Sequence, residues 1–549
     1  MSKITIIGGD LIEKIGGSYK IYTRDNFEIS SNKQIIFNAK EGIKYGVALP
    51  PLLPEVEAKC IVHFRPKSWK GEYGFDWFRE KNDEISDNEN YEKLVGRYYQ
   101  FSDKEMSKLE DSKIDAILTQ YYTKNEIKNF NSKKNGNTPY EAYYINDDNA
   151  WFKKRQKVNT VVKDGKKKEA FESTVDETIE NFRNDPQYNT ESNSLEKLKE
   201  EYSCFQYKKK TKKDKIESIV YHGSYIALFP QTANYGKYEA DIELNISILE
   251  KEGTPDYLFF KVDGMPLKAD HPNIGIDRLK IENPKGRETV KISCKADTNF
   301  TENKKIEIYA VKGNTPEILA GCLTMIAPVI KELNVVIIGV KTKILKDGER
   351  VLYGRPTENW LDFYRKAMGQ ALIKINIIDK KGADFIKIDI SDTPDFKKDF
   401  NPDDDGNIKE TSGFAYTMYQ KFKTVYPEYA EGYFKLYFVD IRNLKKGEDE
   451  GETLGYSENN DNWGVMFSTH KIQTIAHESL HALGLPHSFF FKNNSYVFKA
   501  METYNIMDYS HLTASPATGN SHSSKDRYYI WKWQWEVIRE SDVFIQKIK

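Results

Sequence analysis

The sequence predicts a multidomain protein in which β-rich domains, including a β-sandwich, precede a C-terminal α/β domain with a mostly parallel sheet. Three observations predict it. The length of 549 residues exceeds the roughly 250–300 that one hydrophobic core spans. Residues 216–330 carry short alternating runs separated by turn residues, the pattern of a sandwich. From residue 331 onward, strand patterns alternate with helical ones, which implies a mostly parallel sheet. The divisions are 1–50, 51–215, 216–330 and 331–549.

Residues 1–50 carry a short repeat. Tyr19-x-Ile21, Phe27-x-Ile29, Ile35-x-Phe37 and Ile43-x-Tyr45 start eight residues apart, with turn residues between them. Both members of a pair face one side of a short strand. One such rung cannot bury its apolar face alone, so the segment reads either as stacked rungs or as a small antiparallel meander. The rungs resemble the β-solenoid tail of spike proteins in contractile secretion systems such as type VI. That resemblance implies secretion-spike proteins as partners through residues 1–50, and an export route. Pro50-Pro51-Leu52-Leu53-Pro54 then makes a stiff break, a boundary.

Residues 51–215 read as mixed α/β, with no chemistry assigned. Residues 58–64 read as a strand. Residues 107–127 read as a helix from the spacing of Leu109, Ile114, Ile117, Leu118 and Tyr121. Residues 158–162, followed by Lys163-Asp164-Gly165-Lys166, read as a hairpin on an Asp-Gly turn. Residues 173–203 read as a charged helix. The runs at 166–168 and 208–213 are solvated turns, because acidic neighbours neutralise them. In the sandwich, strands fall at 219–228, 238–248, 257–262, 289–294 and 305–311. Such a domain binds or spaces.

In the last domain, residues 333–340 form a nearly continuous apolar run, the pattern of a buried central strand. Pro356 opens a helix to about Gln370, with Trp360, Phe363, Tyr364 and Ala367 on one face. A strand at 372–378, a helix at 414–425 that stops before Pro427, and a strand at 433–441 follow. Asp403-Asp404-Asp405-Gly406 has the composition of a calcium (Ca2+) loop but not its ligand spacing, so it reads as solvated. Residues 524–538 read as a final helix whose Tyr528, Trp531, Trp535 and Ile538 dock on the core.

Composition excludes some functions. Formal net charge is −1, from 82 basic and 83 acidic residues, so neither nucleic acid nor a membrane surface is the expected partner. No apolar run reaches the length of a membrane span. The early apolar run, Ile4 to Ile7 with Thr5 inside it, is too short for a signal peptide. The expectation is a cytoplasmic protein, or one exported without a cleaved signal. None of Cys60, Cys204, Cys294 and Cys322 forms a Cys-x-x-Cys pair, which argues against a cysteine zinc site. Cys294 and Cys322 share the sandwich segment and could pair, but buried free thiols are the expectation.

The chemistry concentrates in His477-Glu478-Ser479-Leu480-His481-Ala482-Leu483-Gly484-Leu485-Pro486-His487. Six of nine histidines, His470, His477, His481, His487, His511 and His522, fall in one short span. On a helix, His477 and His481 are four apart and share a face. Gly484 can take the left-handed conformation that ends a helix, which returns His487 as a third nitrogen ligand. Three protein ligands leave a position open, the pattern of a catalytic zinc (Zn2+) site with one ion per chain. Glu478 lies beside the first ligand, where a carboxylate serves as general base. Thr469 is the expected N-cap, with Ile472, Ile475, Ala476 and Leu480 on the buried side. His470, His511 and His522 read as surface or capping residues.

His-Glu-x-x-His-x-x-Gly-x-x-His, followed by the turn Tyr504-Asn505-Ile506-Met507-Asp508-Tyr509-Ser510, resembles the metzincin clan of zinc metalloproteases. Residues 482–488 look most like the matrixin branch, and Met507-x-Tyr509 looks like the astacin and serralysin branches. The resemblance implies an α/β metzincin-like catalytic domain with an antiparallel edge strand, and a metalloendopeptidase acting on protein or peptide substrates. It implies zinc on His477, His481 and His487, with Glu478 as general base. Tyr509 would stabilise the oxyanion, and Met507 would form an apolar floor. Asp508 could orient a ligand through a hydrogen bond. It also places the substrate-binding edge strand at residues 462–468, through Gly464, Val465 and Met466. The helix at 414–425 departs from the simplest matrixin plan, and no cysteine switch is present. The competing expectation is a non-catalytic spike-tip or surface-binding protein whose metal site is structural or degenerate.

Overall fold

A computed structural model describes residues 53–80, 89–95, 140–144, 150–163, 166–175, 194–210, 216–249, 253–295, 300–342, 353–378, 386–391, 393, 413–445, 451–458, 461–488, 496, 498, 502–511, 524–541 and 545–547. The expected rungs at 1–50, the helix at 107–127, the Asp403–Gly406 loop and His522 lie outside these residues. The architecture is multidomain and sheet-rich, with several sheets and few helices among the described residues.

A sandwich is present, and it is larger than its sequence segment. One sheet runs Ile274–Ile276, Arg287–Cys294, Glu239–Ile248, Cys60–Pro66, with antiparallel neighbours. The facing sheet runs Met265–Pro266, Tyr257–Val262, Lys304–Val311, Ile318–Met325, Ser224–Ala227, Gly74–Trp77. Burial alternates along Glu239–Ile248, as a strand with one face in the core requires. Ile242 and Leu244 meet Val62, Phe64, Phe260, Ile306 and Ile308 inside. Two strands thus come from the segment 51–215, and a boundary at residue 216 cuts through both sheets. That pairing was not visible in sequence. Cys60–Pro66 is buried at nearly every position and shows no period of two, and its partner strand lies far along the chain.

Other expectations divide. Ala150–Lys163 pairs antiparallel with Lys166–Val175, with Lys163 opposite Lys166. Of the charged helix expected at 173–203, residues 173–175 belong instead to that hairpin and Ser194–Tyr202 is helical, while 176–193 lie outside the described residues. Gly223 splits the run 219–228 into strands of different sheets, because Ile216–His222 pairs with Ser203–Lys210 and Ser224–Ala227 enters the sandwich. A disulfide joins Cys204 to Cys322. The alternative Cys294–Cys322 pair is absent, since Cys322 is already bonded to Cys204. Cys60 and Cys294 are buried free thiols.

The C-terminal sheet has the order Ile373–Ile378, Lys331–Lys341, Phe434–Val439, Trp463–Met466, Gly455–Tyr456. The first four are parallel and the last is antiparallel. Along the central strands, side chains alternate between two clusters. Val335, Ile337, Leu436 and Phe438 pack with Ile475, Ala476 and Leu480 of helix Ile472–Ala482. Val336, Ile338, Tyr437 and Val439 pack with Phe414, Met418 and Phe422 of helix Phe414–Val425. Helices therefore cover both faces.

Three boundaries move. The helix expected from Pro356 begins at Trp360, after Asn359 in a left-handed conformation. The final helix is Lys532–Glu540, and residue Tyr529 ahead of it bridges to Asn505. Gly464, Val465 and Met466 are not on the edge: their strand bonds Phe434–Val439 on one side and Gly455–Tyr456 on the other. The edge lies one strand further out, in two residues too few to show a periodicity.

The sandwich and the α/β region share one core. Trp69 stacks on Tyr529 with 6.0 Å between ring centroids. Gly74 passes so close to Gln370 that a methyl group there would sit 2.2 Å from its carbonyl oxygen. Between the two regions lies a buried ionic cluster. Arg79 pairs with Asp76 at 3.0 Å and Glu89 at 2.9 Å, its guanidinium over the rings of Trp77 and Tyr529. Glu89 also accepts from the Tyr504 N–H at 2.7 Å and the Tyr529 hydroxyl at 2.6 Å.

Candidate metal centre

The motif helix starts at Ile472. Its first turn is closed by Thr474, whose hydroxyl accepts from the Lys471 N–H at 3.1 Å, so Thr469 is not its cap. Its end follows the glycine rule. Gly484 has φ 101°, Gly484 N–H donates to His481 O at 2.8 Å and Leu485 N–H to Leu480 O at 3.0 Å. This paired closure is the Schellman arrangement, and it turns the chain back toward the helix.

The result brings three histidines together. Nε2 of His481 lies 3.1 Å from that of His477 and 3.0 Å from that of His487, and the third side is 3.3 Å. A tetrahedral ion at about 2.0–2.1 Å from each nitrogen needs them about 3.4 Å apart. The proton positions decide what such a triangle means. His477 Nδ1 lies 2.8 Å from Ile506 O, and His481 Nδ1 lies 2.6 Å from Leu485 O. A carbonyl only accepts, so both Nδ1 atoms carry the proton and both Nε2 atoms present lone pairs. Two lone pairs facing each other at 3.1 Å repel unless a cation lies between them. Burial holds all three imidazoles toward the neutral form, His481 down to about 4, which is the form that ligates. His477, His481 and His487 could therefore hold a metal ion.

Glu478 is 7% exposed and faces the edge strand. The Ser457 hydroxyl donates to its backbone oxygen at 2.7 Å and lies 3.3 Å from its Oε2. Burial pushes this carboxyl up to about 8, while Ser457 and Arg527 pull it down. The strand can pass this closely only because residue 455 is glycine. A methyl group there would lie 2.9 Å from Thr474 Cγ2 and Val465 O, and 3.0 Å from Glu478 Cγ.

The Met-containing turn packs beneath. Met507 is fully buried, its N–H bonded to Asn505 Oδ1 at 2.9 Å and its carbonyl accepting from Ser488 at 3.1 Å. Tyr509 lies against the ligands, 4.5 Å from the His487 ring and 6.0 Å from that of His477. The Asp508 carboxylate accepts from the N–H of Thr503 at 2.8 Å and from that of Tyr509 at 2.7 Å, which shapes the turn, and Ile506 O orients His477.

Four features were not read from the sequence. Arg527 is 4% exposed and donates to Asp508 O at 2.6 Å and Ile506 O at 3.2 Å. It thus holds the carbonyl that fixes the His477 tautomer. His470 is buried rather than on the surface, with Nδ1 on Phe467 O at 2.6 Å and Nε2 accepting from Thr357 N–H at 3.2 Å. His511 is partly buried beside Tyr509. The last feature is the edge strand at Gly455–Tyr456. None of these follows a helix or strand period, so no local pattern announces them.

No family model and no curated protein matches the chain. Among solved structures, a Bacteroides ovatus GH5 xyloglucanase in complex with a XXXG heptasaccharide is similar over 36% of this chain and 41% of that one, with 12% identity and a TM-score of 0.12. The chain spans less than half of that structure, and so low a TM-score carries no statement about fold or activity.

Proposed function

We propose that the protein is a zinc-dependent endopeptidase with a metzincin-like catalytic domain. The observation that carries this is the triangle of three Nε2 atoms, two with their protons committed to backbone carbonyls, beside a buried glutamate. An all-nitrogen, three-ligand set suits zinc. Bound there, zinc supplies Lewis acidity. Glu478 accepts the proton of the attacking water and delivers it to the leaving amine. Ser457 keeps that carboxylate in place. Tyr509, packed on His487, is the group for the developing oxyanion.

The substrate-binding edge is Gly455–Tyr456. Among the described residues it is the last strand of its sheet on that side, and an extended peptide adds to such an edge through main-chain hydrogen bonds. Its antiparallel direction agrees with what the metzincin resemblance implies. Export by a type VI-like route rests on the repeat of residues 1–50.

The test compares wild type with Glu478→Ala on unfolded casein and on a bacterial lysate, with zinc measured in both. Cleavage by wild type alone, with about one zinc in each protein, is the expected result. Zinc without cleavage would make the site structural, and absence of zinc from both would end the proposal.

A further inference from the structure

On the sheet face away from the motif helix, helix Phe414–Val425 leaves a cavity of about 380 Å³ against the last two strands. The rings of Tyr416, Tyr419, Tyr456 and Trp463 line it, with Glu458 and Asp461. Tyr456 holds this shape. Its ring meets Trp463 edge-on at 5.4 Å and stacks on Phe467 at 6.0 Å, and its hydroxyl bonds the backbone of Ala415. Tyr416 is 67% exposed, so folding gains little from an aromatic ring at that position.

The cavity and the metal centre share the edge strand. Neighbouring residues of a strand project to opposite faces. Tyr456 lines the cavity, while Gly455 and Ser457 lie against Glu478. A peptide paired with this edge alternates in the same way. When one of its side chains faces the histidines, the next one along enters the cavity.

We infer that this cavity is a specificity subsite for a basic side chain, arginine ahead of lysine, of a peptide extended along Gly455–Tyr456. This rests on the endopeptidase reading. Aromatic faces attract a cation placed over them, and carboxylates bond it directly. A planar guanidinium does both at once. Lys435 opposes the guest: it is buried, with Nζ 5.5 Å from the Tyr419 ring centroid. Asp461 and Glu431 are the acids that act on it. Lys435 thus draws on Asp461, and Glu458 is the carboxylate left to meet the guest.

Two measurements test this on the full-length, zinc-loaded protein. The first is kcat/KM for peptides that carry Arg, Lys, Gln or Glu at each position in turn. At one position Arg should exceed Gln by about tenfold. That ratio should collapse toward unity in the double variant Glu458→Gln, Asp461→Asn, with folding checked by circular dichroism. Tyr416→Ser, at an exposed site, should lower it about threefold. No positional preference, or a preference that both variants leave intact, would overturn the subsite. The second is binding of the fluorescein-labelled Arg and Gln peptides to Glu478→Gln, followed by polarisation. If nothing is cleaved, the endopeptidase reading fails and this arm alone decides. Tighter binding of the Arg peptide, lost in the carboxylate variants, supports the cavity; equal binding of the two peptides refutes it.

Discussion

Two buried polar clusters sit on either side of the Met-containing turn, and their chemistry is opposite. In the cluster of Asp76, Arg79 and Glu89, donors face acceptors: the guanidinium meets two carboxylates, and those carboxylates also take backbone N–H and tyrosine hydroxyl bonds. Each of its carboxylates is met by donors, so it calls for no cation. In the cluster of His477, His481 and His487, lone pairs face lone pairs. It is balanced only by a cation. Burial alone therefore does not mark a functional site; an unbalanced set of like groups does.

The largest effect follows from that difference. His481→Ala should abolish retention of metal after dialysis, measured by elemental analysis, together with all activity. Glu478→Gln should keep the metal and lose activity by about 10²–10⁴-fold. A chelator should lower the melting temperature of wild type and leave that of His481→Ala unmoved, since only a site that binds stabilises by mass action.

The closed cluster should behave in the reverse way. Arg79→Leu removes one partner and strands two buried carboxylates, at a cost of about 3–5 kcal/mol by denaturant titration. Metal stoichiometry of the fraction that remains folded should stay at that of wild type. A variant that loses both stability and metal in proportion would show that the two clusters are one unit.

A smaller effect is expected at the edge strand. Gly455→Ala puts a methyl group against Glu478 Cγ, Thr474 Cγ2 and Val465 O. Overpacking of this kind costs about 1–3 kcal/mol. A fall in kcat larger than the loss of stability explains would sharpen the link between the strand and the base.

The smallest effect is a pH dependence at Lys435. Burial pulls its amine down to about 8, against the pull of Asp461 and Glu431 in the other direction. Between pH 8 and 10.5 the unfolded chain keeps a proton that the folded protein has released. Stability contributed by this group therefore rises with pH across that window. Lys435→Met should flatten the rise in denaturant titrations at pH 8 and 10; an unchanged slope would assign it to other groups.

How much was legible in the sequence varies with the range of the interaction. The metal triangle was legible because helix periodicity and one left-handed glycine are local, and they bring residues 477, 481 and 487 together with little help. The central strands at 331–341 and 434–439 and the helix at 414–425 were legible for the same reason: long periodic or continuous apolar patterns. Arg527, Glu89 and the pairing of Cys204 with Cys322 were not. Neither was the edge at Gly455–Tyr456, where two residues cannot display a period and the adjacent strand looked terminal.

By itself, the sequence determined the three histidines that could hold a metal ion, their glutamate neighbour and the mixed architecture, since each follows from side-chain spacing over a few turns or one strand. Only the tertiary structure decided which carbonyls hold the histidine tautomers, which strand forms the open edge, and that strands from residues 60–77 complete the sandwich and brace the Met-containing turn. The sandwich pairing joins segments well over a hundred residues apart, and the tautomer and edge-strand bonds join loops and strands that no local period links. Backbone donors and acceptors are the same at every residue, so their pairing is chosen by the packing of the whole chain.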